Sequence, residues 1–237
     1  MVRPSFTKSQ VADLDTFESH IQQLIEKIPK DGSSVDLQTL FFQLTLDSAT
    51  EFLLGESINS LTSPVGSQQQ LFGQAFDAAQ NELLGRLMLG PFVWLSRNRS
   101  FDRDCKTVHE YIDKFAQKAA RNRGRKLGDE GGKGKYIFAN ELAQATDDPI
   151  RIRSELLNVL LAGRDTTAGL LSNTFHVLAR RPDVWAKLAF EVDKLEGRKP
   201  DYETLRNMKY LKYILNECKS IESIFISINR TSPAKAW

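Results

Sequence analysis

Two cysteines in 237 residues, Cys105 and Cys218, are too few and too far apart for a disulfide framework or for the paired spacing of a zinc site. Their scarcity fits a reduced, intracellular setting. Charge of one sign is lacking too. The 32 Lys and Arg stand against 30 Asp and Glu, and a net charge of +2 leaves no basic field to draw the chain to nucleic acid. No run of roughly 20 apolar residues occurs, and the opening Met1-Val2-Arg3-Pro4-Ser5-Phe6 has no apolar core, so neither a membrane anchor nor a signal peptide is expected. Strand signals and internal repeats are nearly absent. What is present is 41% hydrophobic residues beside 26% charged, enough to bury a sizeable core.

The apolar residues follow a helical period almost throughout. Val11, Leu14, Phe17, Ile21, Leu24 and Ile28 predict a first helix behind a capping box of Thr7 and Gln10, broken by Pro29 and Gly32. Leu37, Leu40, Phe41, Leu44, Phe52 and Leu53 predict a second, stopped at Gly55. Ser67 and Gln70 form a capping box for a third, which Gly90-Pro91 ends. An aromatic link, Phe92-Val93-Trp94-Leu95, leads to a fourth helix striped by Cys105, Val108, Ile112, Phe115 and Ala119, where Cys105 is packing. Residues 121–135 mix glycine and charge without interleaved aromatics and read as a solvated surface loop, not a nucleic-acid contact. His20, His109 and His176 stand singly on helices and read as surface or packing residues.

A short helix around residues 137–146 precedes a long one over about 149–181, with Pro149 in its first turn and Pro182 past its end. Its middle, residues 156–162, is apolar on nearly every face apart from Asn158, which predicts a central helix buried on most sides. Further helices are expected over residues 184–195 and 205–218.

Into this apolar helix the sequence sets Ala162-Gly163-Arg164-Asp165-Thr166-Thr167, where propensity alone favours leucine or alanine. Gly163 and Thr166, three apart, share a face and leave a notch beside a hydroxyl able to bond back to the Ala162 carbonyl. Asp165 places an ionisable group in a low-dielectric setting, where a carboxyl's pKa is displaced and proton delivery becomes feasible. On periodicity alone a plainer reading is stronger: an exposed Arg164–Asp165 charge pair with the threonines as small packing residues.

The six residues resemble the Ala/Gly-Gly-x-Asp/Glu-Thr-Thr/Ser signature of the long central helix of cytochromes P-450, and that resemblance reverses the balance. Arg181-Pro182-Asp183-Val184-Trp185 with Glu191 is similar to the family's next helix. Residues 205–211 with Asn216-Glu217 resemble the approach to its Glu-x-x-Arg helix, and Arg3-Pro4-Ser5-Phe6 the segment after its tryptophan-bearing helix. The similarity covers residues 1 to about 218, with 219–237 a divergent tail. It is nearest in character to the fungal and yeast branch that hydroxylates alkanes and fatty acids, a placement to which Gly90-Pro91-Phe92-Val93-Trp94-Leu95 adds a little.

The resemblance implies a mainly α, partial cytochrome P-450 fold with a long central buried helix. It makes Asp165 and Thr166 the acid and alcohol that deliver protons to dioxygen, and Ala162, Gly163 and Thr167 the groove over haem b. It further implies haem-thiolate monooxygenase chemistry on an apolar small molecule, electrons from NADPH–cytochrome P-450 reductase, and the cytosolic face of the endoplasmic reticulum.

Two departures follow. Glu217 is followed by Cys218, Lys219 and Ser220, so serine occupies the arginine position of Glu-x-x-Arg. The Phe-x-x-Gly-x-Arg-x-Cys loop that carries the haem thiolate does not occur, and neither cysteine has its context. An internal fragment, inactive by itself, is the expectation. A non-catalytic helical interaction protein or pseudoenzyme without haem is the alternative.

Overall fold

A computed structural model describes residues 14–96, 98–121 and 137–228 of the chain. Within them the chain forms nine α-helices and one 3-10 segment, with no strand among the described residues. The helices are α1 (Leu14–Lys27), α2 (Leu37–Leu54), α3 (Gln68–Leu89), α4 (Arg99–Arg121) and α5 (Phe138–Ala145). They continue as α6 (Pro149–Arg180), α7 (Pro182–Asp193), α8 (Tyr202–Asn207) and α9 (Lys209–Ile228). The expected cap at Thr7 and Gln10 and most of the glycine-rich loop lie outside the described residues.

The helix boundaries follow local chemistry. Asp36 caps α2 by accepting from the backbone N–H groups of Gln38 and Thr39 at 3.0 and 3.3 Å. Gly55 ends α2 in the left-handed conformation, φ 85°, and its N–H donates to the Glu51 carbonyl at 2.9 Å. Ser67 caps α3 as expected, accepting from the Gln70 N–H at 3.2 Å. The Gln70 side chain reaches one residue further back than a capping box requires, taking the Gly66 N–H at 2.6 Å. Gly90–Leu95 forms the 3-10 segment.

Asp148 and Pro149 start α6, and Pro182 both stops it and opens α7, because proline lacks the N–H an interior turn needs but suits a first turn. The helix expected over residues 205–218 is two. Met208 takes extended backbone between α8 and α9. The Glu191 carboxylate supplies the new N-terminus by accepting from the Tyr210 and Leu211 N–H groups at 3.0 and 2.9 Å. Sequence periodicity carries no sign of that break, since the capping group comes from another helix.

The long helix is the axis of the molecule. At 1.5 Å per residue its 32 residues span about 48 Å, and each third enters a different apolar cluster. Ile152, Leu156 and Leu160 join Phe72, Ile112 and Phe138 in the largest cluster, built with α2, α3, α4 and α5. Ala168 packs with Leu24 and Phe41 of α1 and α2, and Leu178 with Ile214 and Cys218 of α9. Helix α6 packs chiefly along α2, α4 and α9.

Burial around its middle is one-sided, where the sequence pattern predicts burial on most sides. Leu156 and Leu160 are covered, whereas Leu161, Ala162, Gly163, Thr166 and Thr167 are exposed. The apolar run is longer than its described partners need, so one face stays open. The apolar residues at the end of α3 and in the 3-10 segment are also outside the core: Leu87 is 72% exposed and Trp94 69%.

Candidate functional site

Helices α2 and α6 together border two clefts of about 620 Å³ each, with opposite linings. The first is almost wholly apolar. Phe17 and Ile25 of α1 and Phe41 and Leu44 of α2 form its walls, and Gly163, Thr167, Leu171 and Phe175 of α6 its edge. The second, between α2, α3 and α6, is rich in amides, with Gln38, Gln43, Gln74, Gln80 and Asn81 beside Arg164 and Asp165.

The six-residue motif is therefore divided between two environments. Successive helical residues are about 100° apart, and the structure separates the motif accordingly. Gly163 and Thr167, one turn apart, face the apolar cleft. A Cβ added at Gly163 would meet nothing within 4 Å, so no packing contact among the described residues requires glycine there. The Thr166 hydroxyl donates to the Ala162 carbonyl at 2.8 Å, the back-bond its spacing suggests. Ala162 and Thr166 are exposed next to the glycine gap.

Asp165 is not brought to this face. It lines the polar cleft, accepting from Gln80 Nε2 and, at 3.3 Å, from Arg164 Nη1. Burial pushes its carboxyl above the ordinary value of 3.8; the Arg164 charge opposes that shift and the Asp77 carboxylate adds to it.

Arg164 is the residue that sequence reasoning missed. Read as one half of an exposed pair, it is 3% exposed. Its guanidinium pairs with Asp77 across from α3 and lies 4.9 Å from the Phe42 ring centroid and 5.3 Å from that of Phe76. A guanidinium tolerates such burial when carboxylates and ring faces replace its water. The available signal was its position on the buried side of α6, one turn beyond Leu160 and one before Ala168.

His20, expected as surface or packing, is 2% exposed, and its Nε2 lies 2.6 Å from Glu51 Oε2. Among the described residues no group of three or more His, Cys, Asp or Glu is arranged to hold a metal. Cys218 packs against Leu178 and Ile214 in the core. Cys105 sits on α4, lining neither cleft, and burial, with Asp102 adding to it, raises its thiol's pKa. Neither suits a haem thiolate, which must be ionised and face an open groove. The exposed Ala162–Gly163–Thr166–Thr167 face, with no side chain at its centre, does fit one side of a flat apolar group.

Known proteins resemble this chain over most of its length. The chain is 46% identical over 226 residues to cytochrome P450 monooxygenase himC of Aspergillus japonicus, an alignment covering 92% of this chain and 40% of that protein. It is 42% identical over 236 residues to cytochrome P450 52A5 of Candida maltosa, covering 92% and 44% respectively. The chain thus spans less than half the length of these relatives. Among solved structures the haem domain of cytochrome P450DA superposes with a TM-score of 0.71 at 22% identity, over 92% of this chain and 45% of that one. The same helical fold is present in both. The cytochrome P450 family model matches residues 1–220, all but the last 17 residues of the chain, and on that match the chain belongs to the cytochrome P450 family.

Proposed function

We propose that this chain contributes the oxygen-side half of a haem-thiolate monooxygenase that hydroxylates an aliphatic or other apolar substrate. The observation that carries the reading is the open α6 face: a glycine gap flanked by Ala162 and a back-bonded Thr166, beside an apolar cleft. The Ala162, Gly163 and Thr167 face would border a haem, which would supply the activation of dioxygen.

The chain's own residues do the rest. Gly163 and Ala162 leave room for a diatomic molecule and water. The Thr166 hydroxyl donates its hydrogen bond to the Ala162 carbonyl, which leaves its lone pairs free to hold a water at the gap. Asp165 precedes Thr166 on α6, and burial raises its carboxyl from the polar-cleft side, which supports its assignment as the acid of the pair. The apolar cleft and the resemblance to the alkane and fatty-acid branch both support an aliphatic substrate. The exposed Leu87, Met88, Phe92 and Trp94 support residence at the cytosolic face of the endoplasmic reticulum membrane, where NADPH–cytochrome P450 reductase supplies electrons. No helix among the described residues is long and apolar enough to cross a membrane.

In a full-length protein carrying this helix, Thr166→Ala is expected to lower product formed per NADPH consumed, because unproductive loss of reduced oxygen then competes with hydroxylation. Unchanged coupling would refute the role given to Thr166. The 237 residues by themselves are expected to be catalytically silent. A reduced carbon-monoxide spectrum at the thiolate position from this chain alone would overturn that, whereas a full-length protein that takes up no haem would favour a scaffold without chemistry.

A further inference from the structure

A third cleft, of about 390 Å³, lies between α1, the end of α2 with the turn that follows it, the start of α3, and α4. It shares no lining residue with the other two clefts, and α6 contributes nothing to it. Its lining is polar throughout. His20 and Gln23 of α1, Glu51 of α2 and Tyr111 of α4 are its buried and half-buried members, while Glu56 and Asn59 stand exposed at its rim. Two carboxylates and no lysine or arginine line it, so the cleft is electronegative. Helix α1 thus has two working faces: Phe17, Ile21 and Ile25 border the apolar cleft, and Ser19, His20 and Gln23 border this one.

An ionised Glu51 carboxylate can only accept, so His20 Nε2, 2.6 Å from Glu51 Oε2, is the donor. The neutral imidazole then carries a bare lone pair on Nδ1. That atom is buried without a partner among the described residues, on a side chain 3% exposed. Gln23 Oε1, three residues further along the same face of α1, is likewise buried without a partner. An acceptor buried without a donor destabilises a fold. The packing of α1 on α2 does not require one, because Leu24 and Ile28 make that contact.

Two unpartnered acceptors beside two carboxylates suit a ligand that is positively charged and rich in N–H donors. A metal ion needs its ligands gathered within about 2–2.6 Å of one point, and among the described residues no group of three His, Cys, Asp or Glu side chains is so arranged. N–H donors spread over one small molecule can instead reach dispersed acceptors, each at about 2.7–3.2 Å.

We propose that this cleft binds a small organic cation bearing several N–H groups, a guanidinium or a primary ammonium, held by His20 Nδ1 and Gln23 Oε1 and neutralised by Glu51 and Glu56. Tyr111 completes the wall. Phe72 stacks 4.5 Å from its ring and Lys114 Nζ lies 5.5 Å from it, which leaves the hydroxyl for the ligand. Burial and then the Glu56 charge raise the pKa of that hydroxyl, so the rim carboxylate acts within the cleft. Lys114 donates to Gln68 at 3.0 Å and does not line the cleft. The site stands apart from the open α6 face, so it neither needs nor tests the role given to Thr166.

The test uses the 237-residue chain, with the histidine ring nitrogens followed by nitrogen-15 NMR and His20 assigned through His20→Gln. Methylguanidinium and methylammonium chlorides are titrated at constant ionic strength against tetramethylammonium chloride, which has the charge without the N–H donors. A saturable shift of His20 Nδ1 with either of the first two, and none with the third, is expected. Glu51→Gln should weaken binding about ten-fold or more, through loss of a charge-assisted hydrogen bond, and Glu56→Gln, at the rim, by less. Gln23→Leu keeps the test decisive should Glu51→Gln fail to fold. Removing a buried unpartnered acceptor should raise the urea midpoint while weakening binding, whereas a merely structural Gln23 would lower the midpoint and leave affinity alone. An equal response to tetramethylammonium, no saturable shift with any of the cations, or an affinity unchanged in Gln23→Leu overturns the proposal. So does saturation by calcium or magnesium chloride in place of the organic cations.

Discussion

Gly163→Ala is expected to stabilise this chain while harming the complete enzyme. Glycine inside a helix costs about 1 kcal/mol relative to alanine, because it loses more backbone freedom on folding. That saving is normally cancelled where a methyl would clash, but at Gly163 the added Cβ meets nothing within 4 Å. It would also bury little apolar area, since the position is exposed. The net expectation is therefore a gain of roughly 0.5–1 kcal/mol, or a rise in melting temperature of about 1–4 °C for a chain of this size. Urea unfolding followed by circular dichroism should show a higher midpoint with an unchanged slope, because the same surface is exposed on unfolding.

In a haem-loaded full-length protein the same methyl would enter the gap beside Thr166, and Gly163→Val, with a bulkier group, should depress turnover further. A chain destabilised by Gly163→Ala would show that something packs at that site, and the open-groove reasoning would fall. Turnover untouched by Gly163→Val would refute the placement of oxygen at this gap.

Two further outcomes concern the frame that holds the site. Asp47 is 0% exposed and accepts from the Ser60 and Leu61 N–H groups at 2.5 and 3.1 Å. Asp47→Asn would set an amide N–H₂ against one of those donors, and should cost about 1–3 kcal/mol in urea unfolding; a variant as stable as the parent would contradict this. Burial raises the Asp47 carboxyl above 3.8, so the folded state takes up a proton more readily than the unfolded one. The stability linked to that proton is fully present below 3.8 and is lost as pH rises through the raised folded-state value. Asp47→Asn should remove that slope from a plot of unfolding free energy against pH. Phe72, 0% exposed and stacked 4.5 Å from the Tyr111 ring centroid, should lose about 3–5 kcal/mol on truncation to alanine; a thermal melt showing less than about 1 kcal/mol would mean that the core collapses around the gap.

Much of the fold was legible because its punctuation is local. Gly55, Ser67, Pro149 and Pro182 act on backbone groups within a few residues of themselves, and the helices they bound stand where the sequence sets them. The split at Met208 was not legible, since Glu191 caps α9 from another helix. Nor was the fate of the apolar run over residues 156–162, because hydrophobicity announces surface to be covered without saying what covers it. The exposed Leu87, Phe92 and Trp94 illustrate the same limit.

Within the six-residue motif the division is sharpest. Sequence alone determined the helix, the shared face of Gly163 and Thr166 and the back-bond to Ala162, all consequences of a 3.6-residue period, while the resemblance of the motif and its flanks pointed to the family. Only tertiary structure decided that Arg164 is buried and that Asp165 faces α3 and not Thr166. Those placements depend on Asp77, Gln80, Phe42 and Phe76, which stand far off in the chain and are brought to the motif by packing.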